Sequence, residues 1–275
     1  MANLRLYPSG LTAFHESNHT RPGFIDKSEV SGWSKHSTRS LIQFLKSVNP
    51  LKFSAGSCYC FTLTLRRCPS TPQDWKRLRE SFFRSLHRHE VSSILWLTEW
   101  QRRGVPHLHG IVLLPCAFSP GDFVGAWVYC ARKYQAQAHC QHARAIYDPL
   151  GWSEYLAKHS ARGVSNYQRS AASMPAGWQG KTGRMWGHRG AWPTYPPIEL
   201  NCSRAVFFRL RRLLKARALS QARSRGDPRA IRFCRTTLKC NDPILSPLRG
   251  VSHFCDQATT LRLLDYLQTV GPIEC

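Results

Sequence analysis

The chain has 275 residues, with 39 Lys and Arg against 16 Asp and Glu, a formal net charge of +23. Its hydrophobic fraction of 42% is that of an ordinary globular protein of one or two domains, and no apolar run approaches membrane-spanning length. Core packing asks for no such cationic excess but a polyphosphate partner does, so nucleic acid leads. An acidic membrane surface competes through the basic amphipathic stretch near Arg204. The eleven cysteines are odd in number, scattered, free of CxxC pairs and unaccompanied by a secretory leader, which fits a reduced, cytoplasmic compartment rather than a disulfide framework.

Residues 1–35, rich in Ser, Gly, Pro and His, show no sustained periodicity and are expected to form an irregular extension. From Ser37, Leu41, Ile42 and Leu45 fall at helical spacing until Asn49-Pro50 ends the helix. Ser57 to Leu65 alternates as a strand, with Cys58, Cys60, Thr62 and Thr64 on one face and Tyr59, Phe61, Leu63 and Leu65 on the other. Thr71-Pro72-Gln73-Asp74 starts a helix whose stripe is Trp75, Leu78, Phe82 and Leu86, and Ser119-Pro120-Gly121-Asp122 repeats the signal before Phe123 and Trp127. Ile94–Trp100 and His107–Leu114 are strand-like runs joined by the loop QRRGVP. Ala143 to Tyr147 forms a short strand, and Asp148-Pro149 opens a helix that Gly163 ends. This order predicts an α+β fold of split βαβ type (ferredoxin- or RRM-like), with helices on one face of an antiparallel sheet and the other face open.

A hairpin centred near Arg103 puts Glu99 opposite His107, and the period of two returns His109 to the same face. Burying two imidazoles in an apolar strand without polar partners costs a few kcal/mol, so their convergence with a carboxylate points to a metal or a polar cleft. Two neutral imidazoles and one carboxylate leave coordination positions open, as a catalytic Mg²⁺ or Mn²⁺ requires. On the helix after Asp148, Tyr155, Lys158 and His159 share one face. A phenol beside an ammonium suits attack on a phosphodiester, with Lys158 neutralising the anionic centre.

Phe61, Thr62, Leu63 and Thr64 (FTLT), then HLHGIVLL from His107, then YLAK from Tyr155 to Lys158, in this order and spacing, resemble the three motifs of HUH endonucleases. The likeness is to rolling-circle replication initiators of plasmids and single-stranded DNA phages, and it covers about residues 57–165. It implies a metal-dependent strand-specific nickase of a bacterial host's cytoplasm, with His107, His109 and Glu99 on the metal and Tyr155 as nucleophile. It implies a 5′-phosphotyrosyl intermediate on single-stranded origin DNA, a 3′-hydroxyl primer, rejoining at termination, and the host's helicase and polymerase as partners. Glu99 matches by position only. The single tyrosine matches one-tyrosine initiators, a class whose order is shared by single-tyrosine transposases. A non-catalytic RRM-like nucleic-acid-binding protein also explains charge and topology, but gives no reason for the His, Glu and Tyr set.

The expected domains are the extension at 1–35, a nuclease domain at 36–165, a basic and aromatic segment at 166–199, and a basic, mostly helical appendage at 200–275. Gly177 to Thr182 (GWQGKT) is no P-loop, because Pro175 stands where its first Gly belongs, so no nucleotide cofactor is expected. Arg169, Lys181, Arg184 and Arg189 lie among tryptophans that can stack on unpaired bases, and Arg102 and Arg103 sit in the hairpin loop. From Arg204 to Arg235 eleven basic residues face the single acid Asp227. Arg209, Arg211, Arg212 and Lys215 in that run complete the expected DNA contacts.

Overall fold

The computed structural model describes residues 2–15, 32–53, 57–91, 93–146, 155, 164–178, 182–239 and 250–274. Its elements run β1 (Ala2–Tyr7), β2 (Gly10–His15), α1 (Lys35–Ser47), β3 (Cys58–Leu63), α2 (Pro72–Arg88), β4 (Ser93–Trp100) and β5 (Pro106–Leu113). There follow α3 (Pro120–Cys130), β6 (His142–Ala145), β7 (Trp186–Arg189), β8 (Ile198–Cys202), α4 (Arg204–Ser224), α5 (Pro228–Lys239), β9 (Gly250–His253), α6 (Gln257–Gln268) and β10 (Ile273–Glu274). The fold is α+β, and the chain divides into two compact units, one of residues 23–45 and 50–193, the other of 1–22, 46–49 and 194–275. No helix among the described residues is long and apolar enough to cross a membrane.

The first unit holds an antiparallel sheet in the order β6-β3-β5-β4-β7. Its elements from β3 to β6 follow the expected split βαβ sequence, and β7 adds an edge strand. Both helices start where the capping chemistry puts them. Thr71 accepts from the Asp74 N–H ahead of α2, and Ser119 and Asp122 form a reciprocal capping box ahead of α3. Those hydrogen bonds from Ser119 hold the Asp122 carboxyl below the usual carboxylate range.

Phe82 packs edge to face on Phe123 and Trp127, Phe61 packs tilted on Phe123 between sheet and helices, and Trp75 Nε1 donates to Thr98 Oγ1 at 3.0 Å. These contacts mark the helix-covered face. At its centre Gly110 lies between Phe61 and Trp96 in register, and a Cβ there would stand 2.0 Å from the Leu95 carbonyl oxygen and 2.5 Å from the Phe61 ring. The glycine in HLHG is therefore a packing requirement of the strand that carries the histidines. Residues of opposite parity, Thr62, Leu97, Glu99, His107 and His109, belong to the other face.

The second unit departs from expectation. Residues 2–15 are not irregular but form the β1–β2 hairpin, closed by Tyr7 opposite Gly10. Gly10 has φ +142°, and a Cβ would approach the His253 carbonyl oxygen to 2.2 Å. Residues 200–275 are mostly helical, as expected, but they are not a separate appendage. They supply β8, β9 and β10 to a sheet ordered β10-β8-β1-β2-β9, so the two ends of the chain fold together. Leu4 and Leu11 of the hairpin pack with Val206, Phe207 and Leu210 of α4 and Leu267 of α6 in one core. The basic run is two helices, broken where Gly226 takes φ +62° and Asp227 and Pro228 restart the chain as α5.

Lys46 is fully buried in this unit, its Nζ donating to the Leu11 carbonyl at 2.5 Å and to Thr12 Oγ1 and Ser252 Oγ, each at 2.7 Å. Burial pushes its ammonium down to about 7. The unfolded lysine keeps its proton up to about pH 10.4, so between these values the unfolded chain binds more protons and stability rises with pH. Between about pH 7 and 9.5 the melting temperature of the wild type should therefore rise by several degrees relative to Lys46→Met. Parallel melting curves for the two proteins across that range would refute the assignment.

Candidate metal centre

The hairpin that builds the site turns through residues 101–105. Gln101 N–H donates to Val105 O and Gly104 N–H to Gln101 O, both at 2.9 Å, with Gly104 in the left-handed region at φ +74°. Arg103 braces the turn. Its guanidinium donates to Gln101 Oε1 at 2.9 Å, to the Arg66 carbonyl at 2.6 Å and to the Leu65 carbonyl. These bonds fix the register, in which Glu99 pairs with His107 and Leu97 with His109, as the sequence predicts. From the other side β3 places Thr62 opposite His109.

One nitrogen or oxygen from each of Glu99, His107 and His109 lies within 4.8 Å of the others, and all three residues are buried. The imidazole rings stand nearly perpendicular, with centroids 4.2 Å apart, and His109 Nε2 is 3.6 Å from Glu99 Oε2. His109 Nδ1 is 2.8 Å from Thr62 Oγ1. A proton on Nδ1 donated to that hydroxyl leaves the lone pair on Nε2, the form that ligates a cation. The donor set fits a divalent ion with exchangeable positions: two imidazole nitrogens and a carboxylate, brought together by strand pairing alone.

The other carboxylate oxygen is held by an arginine. Arg169 Nε donates to Glu99 Oε1 at 2.9 Å, both side chains being wholly buried. The guanidinium lies 4.1 Å from the centre of the Trp33 ring, and Trp33 Nε1 donates to the Thr98 carbonyl at 2.8 Å. Arg169, expected among the DNA contacts, thus faces the carboxylate rather than solvent. A buried pair of this kind costs much if one partner is lost, because the other charge is then stranded.

The remaining predicted residues are placed as follows. Tyr155 is a buried helical residue, while Lys158 and Lys181 lie outside the described residues, as does the rest of the helix expected between Asp148 and Gly163. Phe61 faces the helices, Leu63 is buried, and Thr64 donates to the Cys140 carbonyl through its hydroxyl and to Gln141 Oε1 through its N–H, so only Thr62 of FTLT meets the cluster. Arg102 lies over the half-exposed ring of Tyr167 at 5.2 Å. Arg184 is exposed, and Arg189 is exposed and paired with Glu80. In the other unit Arg209 donates to the Tyr266 hydroxyl, Arg212 is exposed, and Arg211 is buried against expectation because it falls on the inner face of α4. Lys215 is partly buried, and burial, followed by the Arg211 charge, lowers its pKa.

Neither a family model nor a solved structure matches the chain. It is similar to a replication-associated protein of Pseudomonas phage Pf3, at 38% identity over 249 residues covering 90% of this chain and 89% of that protein. Two Xylella fastidiosa proteins named as putative replication proteins, from strains 9a5c and Temecula1, are 37% and 36% identical over 233 residues. Each match covers 82% of this chain, and 81% and 87% of the respective relative. A match of 249 residues is longer than either compact unit, so the similarity takes in both. At that identity and coverage, the chain belongs to the family of replication-associated proteins that includes the one from phage Pf3.

Proposed function

We propose that the chain initiates rolling-circle replication as an endonuclease of HUH type, nicking one strand of single-stranded origin DNA in the cytoplasm of a bacterial host. The observation that carries this reading is the buried Glu99, His107 and His109 cluster on the sheet face opposite α2 and α3. The family's replication names and the order of the three motifs support it. The cluster's residues would hold Mg²⁺ or Mn²⁺, which when bound supplies positive charge to the scissile phosphate.

The chain's own residues supply the rest. The Tyr155 oxygen attacks phosphorus, the P–O bond to the preceding 3′ oxygen breaks, and a 5′-phosphotyrosyl link remains. The phenol gives up one proton and the leaving 3′ oxygen takes one, so the step is neutral overall, and its reversal rejoins the strand. Lys158 neutralises the anionic centre, and Arg169 keeps one Glu99 oxygen aimed at the histidines. The free 3′-hydroxyl is what a host polymerase would extend once a host helicase opens the duplex.

The test is to incubate the full chain with single-stranded origin DNA from its own replicon and Mn²⁺. A covalent protein–DNA adduct that vanishes with a chelator is expected. Tight binding without an adduct would leave a nucleic-acid-binding protein and overturn the nuclease reading.

A further inference from the structure

On the helix-covered side of the same unit, a cleft of about 560 Å³ opens between α2 and the edge strand β7, lined by Lys76, Arg79, Trp96, Arg184, Gly187 and His188 among others. Its wall contains an uncommon group. Arg79 is 5% exposed, its guanidinium lies 4.0 Å from the centre of the Trp96 ring, and its hydrogen bond to the Arg184 carbonyl is long at 3.5 Å. Among the described residues its Nε has no hydrogen-bond partner and no carboxylate pairs with it. The neighbouring acid, Glu80, is taken by Arg189. A buried cation without an anion is costly, and here it borders an open cleft.

A second cleft, of about 350 Å³, lies across β7 at the start of α1 and shares Arg184, Gly187 and His188 with the first. The two clefts thus border one another at β7 and flank the sheet edge as a groove on either side of it. Gly187 pairs with Trp96 in register, and a Cβ there would stand 2.8 Å from the indole, so a glycine keeps this edge low. Burial and then the Arg184 charge hold the His188 imidazole below its ordinary pKa.

We propose that this groove is a second DNA site, which grips the phosphodiester backbone of single-stranded DNA away from the metal centre, with Arg79, Lys76 and Arg184 as its phosphate contacts. The inference rests on the reading of the chain as a protein that acts on single-stranded DNA. An extended polyanion fits because Lys76, Arg79 and Arg184 line the first cleft and Arg184 also borders the second. Trp96 in the wall of the first cleft is on the opposite sheet face from Glu99, three residues away along β4, or roughly 10 Å at strand rise. One strand passing around the sheet edge can thus be held at both places.

The test measures binding of a fluorescent single-stranded oligonucleotide to the full chain over a series of salt concentrations. Lys76→Ala and Arg184→Ala remove exposed side chains and leave the core intact, while Arg88→Ala, on α2 outside the groove, is the equal-charge control. Each groove variant should lower the salt slope of log affinity by about 0.7, and the pair together should weaken binding roughly tenfold at moderate salt. Arg79→Met should weaken it further, with its melting temperature checked alongside. Bound DNA should also slow amide exchange across residues 186–189. Groove variants matching Arg88→Ala, or unchanged exchange in β7, would overturn the site. A wild type that binds single-stranded DNA while the groove variants match the control leaves the nuclease reading standing, whereas no binding at all removes both.

Discussion

Tyr155→Phe should abolish both strand cleavage and the covalent adduct while leaving single-stranded DNA affinity within about twofold, because affinity resides mainly in Lys and Arg contacts to phosphates. The proposed nucleophile is one oxygen. Phe keeps the ring, and Tyr155 is a buried helical residue, so the substitution fills the same space and the fold should survive. Removing the hydroxyl leaves no group that can form the phosphotyrosyl bond, and the loss should be to background rather than partial. Peptide mass spectrometry of the shifted band from wild type should place the adduct on Tyr155. Placement on Tyr147 or Tyr167 would move the nucleophile within the same mechanism. Wild-type turnover by Tyr155→Phe would end the assignment.

How much of the molecule is legible in the sequence depends on range. The Glu99, His107 and His109 cluster can be read because everything it needs is local: a short turn, two strands of strict alternation, and a register that the turn fixes. The same holds for α2 and α3, whose capping residues lie next to the apolar stripes they start. The topology β3-α2-β4-β5-α3-β6 also follows, since short connections and alternating periodicities leave few other arrangements.

Long-range pairing is hidden. Glu99 and Arg169 are 70 residues apart, and nothing near Arg169 distinguishes it from the other cations of its segment. Composition groups it with Lys181, Arg184 and Arg189, but burial against a carboxylate sets its role. Trp33, which stacks on it, comes from a stretch expected to be irregular. The hairpin at 2–15 escapes a reading of periodicity because its strands are only six residues long, and the partners that bury Leu4 and Leu11 lie near residues 200 and 251. The break between α4 and α5 is visible in Gly226-Asp227-Pro228. There the Asp227 carboxylate accepts from the Arg229 and Ala230 N–H groups, a capping pattern that marks a second helix rather than one long basic one.

Replacing either histidine of the cluster is the second large effect expected. His107→Ala and His109→Ala should each lower Mn²⁺ affinity, read by titration calorimetry or by the spin-resonance signal of free Mn²⁺, and each should reduce nicking by at least about 100-fold. Loss of a residue that merely orients a ligand already costs about 10–100-fold, and loss of the ligand itself costs more. Affinity for single-stranded DNA should change little, since neither imidazole is exposed to a phosphate outside the site. The two variants are not equivalent. His109 bridges Thr62 on β3 and Glu99 on β4, so its removal takes away both a ligand and a link between the strands, and metal affinity should fall further than in His107→Ala. Arg169→Lys separates positioning from mere stability. A lysine keeps the charge but cannot reproduce the guanidinium's donor direction or its stacking on Trp33, so Mn²⁺ affinity should drop with little change in melting temperature. Cleavage at the wild-type rate by either alanine variant would show that the cluster is not the metal site, whatever else it does for the sheet.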